Sequence, residues 1–299
     1  MVDILGVATT DHALKQLAIQ QIINDTMSEY DLFLGAQFYQ EAFLALAYKH
    51  KIPIVTMSTM GFGNYMSQMV GSLTPYSFVP HGFLPFEDKM TFYERIVNTY
   101  YSLYEDFYRY FWYFPKQDEL VKKYFSHLKV DLPPVSEMEK QISLMLLNSH
   151  VPLTTPRPTV PAQISVGGVH IGPPNPLPND IKLFLDGAKD GAIYFSLGTN
   201  LKSSDMPPEK LNIFLKVFGS IKQRVLWKFE DENIAKLPTN VMIKKWMPQS
   251  DILAHPNIKV FITHGGLFGT QEGVYYGIPM LGMPVYCDQV ISCTRKENH

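Results

Sequence analysis

Between residues 192 and 285 short β-rich apolar runs alternate with helical patterns, and few folds accept that order. Residues 192–197 (AIYFSL), 224–229, 241–245, 258–263 and 279–285 read as strands. A helix opening at Pro207-Pro208-Glu209 is expected to bury Leu211, Phe214, Leu215 and Phe218. A short helix capped by Ser250-Asp251 and another from about Leu267 to Tyr276 fill the other gaps. Strand, helix and strand joined by tight loops make a parallel sheet, because parallel neighbours need a crossover between them. The first third repeats the pattern: a helical stretch near His12 with Leu14, Leu17, Ala18 and Ile22 on one face, a strand over 30–36, a helix over 39–51 and a strand over 52–58.

Residues 151–180 hold eight prolines in thirty positions, around Gly167-Gly168. Proline fixes φ and has no amide donor, so neither helix nor sheet continues there. The expected organisation is therefore a first domain over 1–165, a linker over 166–180 and a second domain over 181–299. Each domain is a Rossmann-like, doubly wound α/β unit.

Residues 92–114 hold twelve aromatic residues in twenty-three positions. Tyr100, Tyr101, Tyr104, Phe107, Tyr108 and Phe111 share one helical face, while Asn98, Ser102, Glu105, Asp106 and Arg109 share the other. This is an amphipathic helix that Pro115 helps to stop, with its aromatic face expected to pack on its own domain. A membrane-surface or acceptor-lining role is the alternative.

Charge excludes other classes. With 26 Lys+Arg against 28 Asp+Glu, no basic surplus exists to neutralise a phosphate backbone, so nucleic-acid binding is not expected. Two cysteines, Cys287 and Cys293, rule out a disulfide scaffold, and the nine histidines form no zinc-ligand spacing. The first residues carry no signal-peptide pattern, and no run of about 18 apolar residues spans a membrane.

In doubly wound sheets ligands sit beyond the carboxyl ends of the strands. Three loops of the second half lie there. Ser196-Leu197-Gly198-Thr199 ends one strand, Trp246-Met247-Pro248-Gln249 follows another, and His264-Gly265-Gly266 follows a third and opens a helix. The glycines of the last loop let backbone approach a ligand, and free amides at a helix start attract an anion such as pyrophosphate. The alternative there is a tight turn with a core histidine. Glu272 could accept hydrogen bonds from ribose hydroxyls. Trp246 offers a stacking platform for a base unless it fills the core rim, and Gln249 could pair with a base edge. Asp288-Gln289 suit sugar hydroxyls if they are more than a surface turn. No G-x-G-x-x-G and no Walker A sequence competes. These groups, at successive strand ends, read as one nucleotide-sugar site.

Residues 246–289 (WMPQSDILAHPNIKVFITHGGLFGTQEGVYYGIPMLGMPVYCDQ) resemble the signature of animal UDP-glycosyltransferases, with insect-like wording. The likeness extends through residues 146–150, Gly167-Gly168 and 192–199, and more weakly through 30–58 and 76–98. It implies a GT-B fold: an acceptor domain and a UDP-sugar domain facing each other across a cleft, both incomplete in this chain. It implies Trp246 stacked on uracil, Gln249 on uracil or ribose, and Glu272 on ribose. His264, the Gly269 amide and Thr199 would hold the diphosphate, and Asp288 and Gln289 the sugar, with Ser196, Gly198, Met247 and Gly266 also among the donor-binding residues. The reaction implied is hexose transfer from a UDP-sugar, with inversion, to a hydroxyl of a small lipophilic acceptor. Glucose is favoured over glucuronic acid, and no metal or cofactor is needed.

Departures accompany the likeness. The family's general-base histidine would precede Met1, so no residue here matches it. The assisting acid is expected where this chain has Gly35-Ala36-Gln37, with Glu41 a poor substitute. Phe268 stands where many relatives carry a phosphate-binding asparagine. Among histidines preceding the donor domain, only His81, in Pro80-His81-Gly82, is a candidate base. The tail after Gln289 lacks the helical segment and membrane anchor of full-length relatives, so the chain reads as incomplete or alternatively spliced. The expected location for such relatives is the lumenal side of the endoplasmic reticulum membrane, with which the sequon Asn24-Asp25-Thr26 is compatible. Oligomers with full-length relatives are conceivable, and a non-catalytic UDP-sugar-binding or interfering fragment is the alternative function.

Overall fold

The computed structural model describes residues 3–150, 153–231, 234 and 236–285, in two compact units, Met1–Gly167 and Gly168–His299. The first unit carries a parallel sheet in the order β1-β2-β3-β4: β1 (Phe33–Ala36), β2 (Ile54–Ser58), β3 (Ile142–Leu147) and β4 (Gln163–Ser165). The second carries five parallel strands: β5 (Ala192–Ser196), β6 (Arg224–Lys228), β7 (Val241–Lys244), β8 (Ile258–Thr263) and β9 (Met280–Gly282). Their order is β7-β6-β5-β8-β9. The chain starts in the middle of that sheet, builds one way and then returns to build the other. The switch point lies between β5 and β8, where Rossmann-like sheets open a crevice for ligands.

Side-chain alternation makes both faces of the second sheet apolar. Tyr194 pairs in register with Leu226 and Phe261 on one face; Phe195 pairs with Trp227 and Ile262 on the other. All six are buried. A strand covered on both faces needs a continuous apolar run, which AIYFS supplies. The helix Pro208–Ser220 lays Phe214 and Phe218 against Phe195 and Trp227. The helices Asn179–Asp186 and Gln249–Leu253 cover the other face through Ile181, Leu185, Ile252 and Leu253. Each such fully buried side chain stabilises by about 1.5–3 kcal/mol.

The first unit departs from expectation in four places. The stretch near His12 is broken between Leu14 and Leu17, and Leu17 is exposed. The segment after β1 is a 3₁₀ turn, Glu41–Phe43, followed by the helix Leu44–His50. The aromatic helix, Phe92–Tyr108, faces the opposite way to that expected. Tyr100, Tyr101, Tyr104, Phe107 and Phe111 are exposed, whereas Asn98, Ser102 and Arg109 are buried. Asn98 explains the inversion, because its amide donates to the carbonyls of Tyr76 and Val79 and its oxygen accepts from the His81 amide. A buried polar group with every bond satisfied costs little, so the polar stripe faces inward.

Pro115 does not stop the helix either. The chain passes through a π-type turn, Arg109–Tyr113, into the helix Phe114–Phe125, where Pro115 occupies the first turn and its missing donor is not needed.

Candidate donor site at the switch point

The loops after β5 and β8 interlock through one imidazole. Gly198 has φ +79°, and a Cβ placed on it would lie 2.6 Å from His264 Cε1. A Cβ on Gly266 would lie 2.5 Å from His264 Nε2. Only hydrogen fits on either side, so both glycines are required by the ring between them. The Ser196 hydroxyl, buried at the end of β5, accepts from the Gly198 amide and holds the turn. Thr199 beyond it is exposed. Gly266 precedes the helix Leu267–Tyr275, whose first amides face the same loop.

Behind the loop sits a buried carboxylate. Glu272 is 9% exposed, and Gln249, at the start of the helix after β7, donates its amide to Glu272 Oε2. Gly269 makes room for that contact, since a Cβ there would stand 3.1 Å from Gln249 Nε2. Burial raises the Glu272 carboxyl above its ordinary range, against the lowering effect of the Gln249 bond, and the charge of Asp251 raises it further. His170 approaches from the linker, with Nε2 3.9 Å from Glu272 Oε1, and burial lowers its own proton affinity.

Trp246 is 68% exposed, so its indole does not fill the core rim. The next residue does the opposite: the Met247 side chain lies in the core with Leu226, Ile252 and Phe261. The Met247 side chain is therefore a core anchor beside the outward-turned Trp246. Gln249 gives one of its two amide N–H groups to Glu272. Asp288 and Gln289 lie outside the described residues. Phe268 is half exposed, its ring edge-on to His170.

The first unit offers no free acid or base at the expected places. Glu41 is buried, accepting from Arg109 Nη1 at 3.2 Å and from the Tyr113 hydroxyl. A cavity of about 260 Å³ beside β1 is lined by Ala36, Gln37, Gln40, Glu41 and Thr56 among others. His81 is 5% exposed. Its Nδ1 accepts from the Phe83 amide at 3.2 Å, so Nε2 carries the proton and donates to Glu105 at 3.0 Å. Neither nitrogen is left to take a proton from an acceptor. Among the described residues, no three His, Cys, Asp or Glu side chains gather to hold a metal ion, and no helix is long and apolar enough to cross a membrane.

The family model for UDP-glucoronosyl and UDP-glucosyl transferase matches residues 11–298. The chain belongs to the UDP-glycosyltransferase family. It is 36% identical over 271 residues to UDP-glucosyltransferase 2 of Dactylopius coccus, covering 90% of this chain and 52% of that protein. UDP-glycosyltransferase UGT5 of the same insect is 37% identical over 288 residues, covering 95% and 54%. UDP-glucuronosyltransferase 2B13 of Oryctolagus cuniculus is 38% identical over 245 residues, covering 80% and 44%. The chain thus spans about half the length of these relatives. Among solved structures, a UDP-glucosyltransferase from Polygonum tinctorium, capable of glucosylating indoxyl, superposes with a TM-score of 0.52 at 17% identity, covering 95% of this chain and 63% of that one. The kitacinnamycin glycotransferase gives 0.53 at 18%, covering 90% and 61%. The fold is that of GT-B UDP-glycosyltransferases, with a Rossmann-like parallel sheet in each unit.

Proposed function

We propose that the second unit is the donor half of a UDP-glycosyltransferase. The family's chemistry is hexose transfer with inversion from a UDP-sugar to a hydroxyl of a small lipophilic acceptor. One observation carries this reading: the loops after β5, β7 and β8 present complementary groups along one strand-end edge. The exposed Trp246 indole suits uracil. Glu272, fixed by Gln249, suits the ribose hydroxyls. His264 between its glycines, with the Leu267–Tyr275 helix start, suits the diphosphate. Glucose is favoured as the sugar because two insect relatives of this chain, one of them named a glucosyltransferase, cover more of it than the mammalian glucuronosyltransferase does. No metal is required in this scheme, since amide donors and an imidazole meet the phosphates.

For this chain by itself we propose binding without turnover. General-base catalysis needs a group within about 2.6–3.2 Å of the acceptor proton. The engagement of both His81 nitrogens, and of Glu41 with Arg109 and Tyr113, supports that second reading. Incubation of the 299-residue chain with UDP-glucose and a small phenol tests it. Saturable UDP binding with background glucoside formation is expected. Robust turnover, lost in His81→Ala, would contradict the non-catalytic reading.

A further inference from the structure

The linker does more than join two units, because its first turns run over the donor helices. Gly168, with φ +86°, turns the chain, and its carbonyl accepts from the Ile171 amide at 2.9 Å. Further on, the Asn175 amide donates to Asp251 at 2.7 Å, tying the strap to the helix Gln249–Leu253. Between these anchors the His170 ring stands edge-on to Phe268, with centroids 4.8 Å apart and planes at 78°. The same ring sets Nε2 3.9 Å from Glu272 Oε1.

We infer that His170 is a positioning residue for ribose recognition: wedged between Phe268 and Glu272, it confines the carboxylate whose other oxygen Gln249 holds. The inference rests on the donor-site reading of Glu272. A glutamate side chain left to itself samples several rotamers, and fixing a flexible side chain on binding costs roughly 1.5–2 kcal/mol at most. Gln249 restrains the carboxylate through a single hydrogen bond to Oε2. Rotation about the last torsion would break that bond and swing Oε1 away from a hydroxyl, and the His170 ring stands beside that oxygen with Nε2 3.9 Å away. At 3.9 Å no hydrogen bond forms, so Oε1 keeps its capacity to accept. Burial also disfavours a charged imidazole, which would otherwise compete with the ribose for that oxygen.

The test compares uridine with 2′,3′-dideoxyuridine, which lacks both hydroxyls while keeping the base, by ligand-observed NMR titration of the 299-residue chain. Wild type should prefer uridine. His170→Ala should lower that preference about five-fold by weakening uridine alone, a loss typical of one released rotamer. His170→Gln, which restores bulk of similar reach beside Glu272, should recover most of it. An unchanged preference in His170→Ala, equal weakening of both nucleosides, or a His170→Gln variant no better than His170→Ala overturns the inference. A wild-type chain that binds neither nucleoside, or both alike, overturns the donor-site reading as well. The first three outcomes leave that reading standing.

Discussion

Each unit buries carboxylates, and the two do it in opposite ways. In the first, Glu41 and Glu139 are sealed against Arg109, whose guanidinium also lies over the rings of Tyr65 and Phe114 at 4.6 and 4.8 Å. There one guanidinium is shared between two carboxylates. In the second, Glu272 is held by a neutral amide and approached by a neutral imidazole, at the carboxyl ends of the strands. A buried carboxylate with a full set of partners is part of the scaffold; one with a single neutral donor keeps acceptor capacity for a ligand. The raised proton affinity of Glu272, caused first by burial, belongs with that second kind.

The largest expected effect breaks the first kind of burial. Arg109→Leu leaves Glu41 without its counter-charge, and unfolding in urea should show the first unit destabilised by about 3–5 kcal/mol. UDP affinity of the second unit should be unchanged. Loss of UDP binding together with that stability would mean that the sealed cluster also serves the donor site.

Trp246→Ala comes next. Removing a stacking platform should weaken UDP about ten-fold in a calorimetric titration. Because the indole is largely exposed, thermal stability should move by no more than about 0.5 kcal/mol. Equal titration curves for the two proteins would remove Trp246 from the site.

Gly198→Ala is a finer probe. Its Cβ would strike the His264 ring, and its positive φ disfavours any side chain by roughly 1–2 kcal/mol. UDP should bind about five-fold more weakly while uridine, lacking phosphates, is unaffected. Equal losses for UDP and uridine would place the His264 loop under the nucleoside instead.

A pH dependence probes the same sealed cluster. Burial, opposed by Arg109 and reinforced by Glu41, raises the Glu139 carboxyl to about 8. A carboxyl raised on folding contributes stability that is full below its unfolded value, near 4.5, and lost as pH rises towards 8. Melting curves of wild type should therefore lose ground against Glu139→Gln between these limits. Parallel curves across that range would show that Glu139 is ionised throughout.

Legibility in the sequence followed the same division. In the second unit each strand is readable to within a few residues, because the central strands β5, β6 and β8 carry the apolar runs that burial on both faces needs. The loops at their carboxyl ends, with Trp246, Gln249, His264 and Glu272, came with them. Period alone could not orient the helix Phe92–Tyr108. An amphipathic pattern gives two faces, and the inward one is decided by whether polar groups find partners, as Asn98 does three times. His170 escaped notice for a related reason: proline-rich composition announces a linker but not its path, and only the path brings the ring to Glu272.

The most direct measurement of the central claim is a crystal structure of the chain with UDP. The account predicts uracil against Trp246, ribose hydroxyls on Glu272 and the diphosphate at His264-Gly265-Gly266, all at the carboxyl ends of β5, β7 and β8. UDP bound anywhere else, or density absent from that edge at saturating nucleotide, would contradict it.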